Sequence, residues 1–219
     1  MKKIFLLILT VIFIKGNAMA GFLGGDLTPN VSGAGQQAFK MGTSILMVGT
    51  PFSSLNLSYK YCLRNDIGVY SNLGVGTIDY ATYSEIKVYT NPQLYGIGVE
   101  YNMSASPDAD SRKAFVMEYE AVNWSVNKTI NDSSNIMFAY DMYFISSEDT
   151  ISKYRIGYNN FNAGAESGEK ITTSGKYLFS TSVEYSVSNN LKTGYNGGLY
   201  FGGKEGLVAF IGLHIGFII

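Results

Sequence analysis

From Gln37 onward the chain alternates apolar and polar residues in short runs. In a β-strand successive side chains point to opposite faces, so residues i, i+2 and i+4 share one face. "LNLSYKYC" puts Leu55, Leu57, Tyr59 and Tyr61 on one face and Asn56, Ser58 and Lys60 on the other. "LYGIGVEYNM" sets Tyr95, Ile97, Val99, Tyr101 and Met103 against Gly96, Gly98, Glu100 and Asn102. "NIMFAYDMYF" sets Ile136, Phe138, Tyr140, Met142 and Phe144 against Ala139 and Asp141. "KYRIGY", "YLFSTSVEYSV" and "LKTGYNGGLYF" repeat the rhythm. So does the most apolar of these runs, "EGLVAFIGLHIGFII", with Leu207, Ala209, Ile211, Leu213, Ile215, Phe217 and Ile219 on one face. A helical period would scatter Gly206, Gly212 and Gly216 around a helix, at about 1 kcal/mol each. A strand accommodates them.

The pattern predicts ten strands, at about 37–49, 54–63, 66–77, 92–103, 113–126, 135–146, 151–161, 175–187, 191–202 and 205–219. Turn-forming clusters separate them: "LRND", "SASPDADSR", "NKTINDSSN", "SSEDT", "AGAESGEKITTSG", "SVSNN" and "GGKE". Amphipathic strands of about ten residues, even in number and joined by alternately short and long connections, are the signature of an outer-membrane barrel. The expected fold is therefore all-β: a closed up-and-down antiparallel transmembrane β-barrel spanning residues 36–219. The phase slips near Val122 and the stretch around Pro92 is ambiguous, so eight or twelve strands are the alternative counts. With a periplasmic N-terminus, "LRND", "SASPDADSR", "SSEDT" and "SNN" fall inside the cell envelope. "TPFSS", "TIDYATYSEIKVYTNPQ", "KTINDSSN", "NAGAESGEKITTS" and "GGKE" then face outward.

A bilayer gives the two faces different tasks. Hydrocarbon offers no hydrogen bonds, so only helices and closed barrels can cross it with their backbone groups paired. The apolar face turns to lipid, with tyrosines suited to the two interfaces. Lys40, Lys60, Lys153, Arg155 and Lys192 then point inward, as do Glu100, Glu118, Glu120, Asp141 and Glu184. A Lys or Arg facing lipid at the midplane would instead cost roughly 2–4 kcal/mol. Five charges of each sign balance, as a filled interior requires. The expectation is a plugged or very narrow lumen, since a wide channel needs about 16 strands.

Composition agrees with this reading. Tyr 17, Phe 13 and Gly 25 against Pro 4 favour strands. The net charge of −1 gives no basic patch for nucleic acid. Cys62 is the single cysteine, so no internal disulfide forms. "MKKIFLLILTVIFIKGNAMAG" has Lys2 and Lys3, an apolar run from Ile4 to Ile14, then Ala18-Met19-Ala20. That is the layout of a secretory signal peptide, residues 1–20, cleaved after Ala20. Residues 21–35, "GFLGGDLTPNVSGAG", read as a flexible lead-in on the periplasmic side.

On these runs and on the closing strand, the chain resembles the small outer-membrane β-barrels of the OmpA-like, OmpX-like and opacity-protein group. The resemblance implies a location in the bacterial outer membrane, with outer-membrane lipid and the barrel-assembly machinery as partners. It implies that Leu213, Ile215, Phe217 and Ile219 serve as the assembly signal of the last strand. Ile219 stands where that group usually has an aromatic. No peptidoglycan-binding half is expected after the barrel.

His214 is the one histidine. Catalysis by it would need an orienting carboxylate and a nucleophile within reach, and no deacylase-like serine spacing or omptin-like acidic and histidine pairs surround it. A polar lumen-facing side chain is the expected role, with no cofactor and no metal. "GAESGEK" fails the phosphate-loop spacing and reads as a surface loop. The expected function is a non-enzymatic integral barrel acting structurally or through its loops on a surface ligand. The alternatives are a narrow pore for small solutes, or a soluble periplasmic lipocalin-like barrel that binds an apolar ligand, with its apolar face inward; an enzyme acting on lipid A comes last.

Overall fold

The computed structural model describes residues 29–31, 33–48, 50–77, 93–103, 111–126, 129–147, 149–163, 174–202 and 208–219. The expected signal peptide, residues 1–20, and the stretch around Pro92 lie outside these. Ten strands form: β1 Gln37–Val48, β2 Thr50–Cys62, β3 Ile67–Thr77, β4 Gln93–Asn102, β5 Ser111–Val126, β6 Thr129–Ser147, β7 Thr150–Ala163, β8 Ser174–Ser188, β9 Leu191–Phe201 and β10 Val208–Ile218. Each pairs antiparallel with its sequence neighbours, and β1 pairs with β10 to close the barrel. The count is ten, not eight or twelve. β5 runs through Val122 without a break, pairing Val122 with Leu94 on β4 and Ser133 on β6.

Two expected loops are largely strand. β6 starts at Thr129 rather than near residue 135, and Val126 pairs with Thr129 across a two-residue connection. β2 starts at Thr50 rather than at 54, with Val48 paired to Thr50. Polar residues such as those of "TINDSSN" break an apolar rhythm but not a hydrogen-bonded ladder. Where a strand runs past the apolar zone, only backbone pairing is needed to extend it.

The side chains sort as a membrane barrel demands. Ile97 and Leu213 are 64% and 67% exposed, while Lys60 and Glu100 are fully buried. Phe138 and Ile211 are outward, and Lys153 and Glu184 are inward. A soluble lipocalin-like barrel needs the reverse, so that alternative falls. Outward aromatic rings meet across strands. Tyr158, Tyr177 and Phe201 form a chain with centroids 5.5 and 5.6 Å apart, and Phe144 meets Tyr154 edge-on at 5.8 Å.

The interior holds more than charge. Tyr70, Val116, Met137, Leu178, Tyr200 and Phe210 form a buried apolar cluster inside the wall. Period-two alternation puts these residues on the inward face but does not say that they gather. At the turn end, where the short β2–β3 and β8–β9 connections lie, the described lead-in residues Asn30 and Val31 are buried against the barrel.

Candidate functional site

The inward positions come from alternate residues of every strand, and the pairing register decides which of them meet. Among the described residues, Lys40, Lys60, Lys153, Arg155 and Lys176 are buried cations, and Glu100, Glu118, Glu120, Asp141 and Glu184 are buried carboxylates. Lys176 was missed because it sits at the strand edge beside "SGEKITTSG". Alternation from Leu178 and Ser180 would have placed it inside. Lys192 is half-buried at the rim.

The largest group crosses the lumen from β2 to β7. Lys60 pairs with Glu100 at 2.8 Å. The Tyr143 hydroxyl donates to Glu100 at 2.9 Å and lies 3.4 Å from Asp141. Arg155 grips Asp141 with two parallel N–H···O bonds, from Nε and from Nη2, each 2.7 Å. The Arg112 guanidinium lies 4.0 Å from the Tyr143 ring centroid and 3.9 Å from Glu100. Lys153 Nζ is 5.6 Å from the same centroid. Tyr143 is thus the hinge of the group: its hydroxyl serves two carboxylates and its ring faces two cations, a geometry attractive through the ring quadrupole.

On the opposite wall Lys40 pairs with Glu184, and His214 Nε2 lies 3.4 Å from the same carboxylate. Towards the loop end, Glu118 accepts from the Tyr70 hydroxyl at 2.8 Å and from Asn72 at 2.5 Å. Glu120 accepts from Asn135 at 2.8 Å, and Asn135 also donates to Asn159 at 3.0 Å.

Glycines make these pairings possible. Lys60 is on β2 and Glu100 on β4, so the bond passes over β3. Gly68 pairs with Glu100 in the register, and a Cβ on it would lie 2.7 Å from Lys60 Cε. Tyr70 reaches Glu118 over Gly98 of β4 in the same way. Glu184 and His214 meet over Gly194 of β9, where a Cβ would lie 2.7 Å from His214 Nε2. Each intervening strand presents hydrogen where a side chain would block the crossing. Gly98→Ala should therefore displace the Tyr70 ring, loosen its bond to Glu118 and cost about 1–3 kcal/mol, the usual range for overpacking, read as a lower urea midpoint of refolded protein.

What this arrangement does chemically is brace the wall. Buried carboxylates and cations need partners and hydrogen bonds to offset desolvation, and these have them. Among the described residues no three His, Cys, Asp or Glu side chains gather as a metal set. The outward face of β10 carries Leu213, Ile215, Phe217 and Ile219, all at least partly exposed.

The fold and its interior define a class: a closed ten-strand antiparallel barrel of the outer-membrane kind, apolar outside and charged within. No protein-family model and no curated protein matches the chain. Solved structures do. The N-terminal β-barrel domain of Pseudomonas aeruginosa OprF is 12% identical, with 85% of this chain and 99% of that chain covered and a TM-score of 0.38. The outer membrane protease OmpT from Escherichia coli is 9% identical over 84% of this chain and 94% of its own, with a TM-score of 0.47. Ail, the attachment invasion locus protein of Yersinia pestis, is 11% identical over 85% and 99%, with a TM-score of 0.35. The likeness is one of fold alone.

Proposed function

We propose that the chain is an integral barrel of the bacterial outer membrane, non-enzymatic, with a braced and closed interior, that acts through the loops at its long-connection end. The observation that carries this is the inversion of the two faces: large apolar side chains outward and, among the described residues, five Lys or Arg and five Asp or Glu side chains buried. The partners on this reading are outer-membrane lipid, the barrel-assembly machinery and a surface ligand met by the loops. No nucleic-acid surface and no cofactor belong to it.

Three measurements test it. The folded protein should migrate differently on gels before and after boiling, and should fractionate with outer membranes; recovery as a soluble periplasmic protein would sink the location. In planar bilayers it should show no steady open channel, whereas stable conductance would favour the narrow pore. The assembly role of the last strand has its own signature. Phe217→Ser with Ile219→Ser should reduce assembled barrel in cells several-fold while leaving refolding into lipid vesicles nearly intact, because both side chains are outward and exposed. Equal loss in cells and in vesicles would mean that these residues act only through stability.

A further inference from the structure

The segment before β1 does not hang free. Asn30 and Val31 are buried, and Val31 packs with Ala38 and Cys62. Four bonds hold the approach to β1. Cys62 Sγ donates to the Val31 carbonyl at 3.3 Å, and the Gly35 amide donates to the Cys62 carbonyl at 2.8 Å. The Cys62 amide donates to the Gln36 carbonyl at 2.9 Å, and the Ala34 amide donates to Asn65 at 2.8 Å. Gly35 has φ +80°, the left-handed conformation that glycine enters most cheaply, and it lets the chain turn from the mouth into the wall.

Beyond that turn the segment lies over the charged interior. Pro29, Asn30 and Val31 share a cavity of about 10 Å³ with Lys40, Glu184 and Lys192, room for about one water. Both amide atoms of Asn30 are buried there with no protein hydrogen bond among the described residues. Asn30 and Val31 are buried, and with Pro29 they line this cavity opposite Lys40, Glu184 and Lys192, so the segment packs into the mouth rather than passing it by.

We propose that residues 29–31 are a stopper that closes the turn end of the lumen, held in place by the strap of residues 33–36 against Cys62 and Asn65. Anything entering or leaving by that end must first displace it. This goes beyond the braced interior: the stopper seals a mouth, while the ion pairs close the lumen deeper in.

Gly216 lines the same cavity, and a Cβ there would meet nothing nearer than the Phe39 carbonyl at 3.5 Å. Gly216→Cys, combined with Cys62→Ser, therefore puts a single thiol beneath the stopper. The refolded protein in detergent is treated with a small anionic methanethiosulfonate, with boiled and unboiled gels as the check on folding. The full chain should label slowly, and the same protein starting at Gly33 should label at least roughly tenfold faster, the factor for about 1.4 kcal/mol of protection. If the shortened chain does not fold, Val31→Asp in the full chain is read instead, with the same expected gain. Equal rates with the segment intact and with it removed or displaced would overturn the proposal.

Discussion

Arg155→Met should destabilise the folded barrel by about 3–5 kcal/mol, the cost of leaving a buried charge without its partner. Asp141 is fully buried and takes two 2.7 Å bonds from that guanidinium. Its other partner, the Tyr143 hydroxyl, lies 3.4 Å away and is shared with Glu100. One weak neutral donor does not replace a bidentate cation. The measurement is urea unfolding of protein refolded into vesicles, followed by tryptophan fluorescence or gel mobility. The second half of the test is the pair. Arg155→Met with Asp141→Leu removes both charges, and should recover most of the loss, because an apolar pair of similar volume needs no hydrogen bonds. A single variant as stable as the original would show that Asp141 is not charged or not enclosed. A double variant no better than the single would show that the pair matters through shape rather than charge.

Ile211→Arg should cost roughly 2–4 kcal/mol in a bilayer, the penalty for a cation at the lipid-facing midplane. Ile211 is at mid-strand on β10, 53% exposed, paired laterally with Ile45 and Gly197. On a soluble protein, a surface change of this kind usually falls within about ±0.5 kcal/mol. The two environments thus predict different outcomes for one substitution. The comparison is the urea midpoint of the variant and the original in the same vesicles. No shift would mean that this face meets water, and the account of the two faces would fail with it.

Much of this is legible in the sequence. Glu100, Asp141, Lys153 and Glu184 could be assigned to the interior because each alternates with lipid-suited neighbours such as Val99, Tyr140, Tyr154 and Tyr185. Period two is fixed by strand geometry, so one residue's face fixes its neighbours' faces. The ends of β2 and β6 were less legible, since a strand leaving the apolar zone keeps its ladder but loses its hydrophobic mark. Lys176 and Arg112 were overlooked for a related reason: both sit near strand edges in polar surroundings, where alternation is faint. The docking of Asn30 and Val31 had no local signal, because "TPNVSGAG" has the composition of a linker.

The sequence by itself determined which way each side chain faces, and hence that the barrel is apolar outside and charged within, because alternation is a property of the single strand. Only the tertiary structure decided who pairs with whom. Lys60 meets Glu100, Tyr70 meets Glu118 and Glu184 meets His214 because the register sets Gly68, Gly98 and Gly194 between them. Register belongs to two strands and to ring closure together, so no one strand's residues encode it.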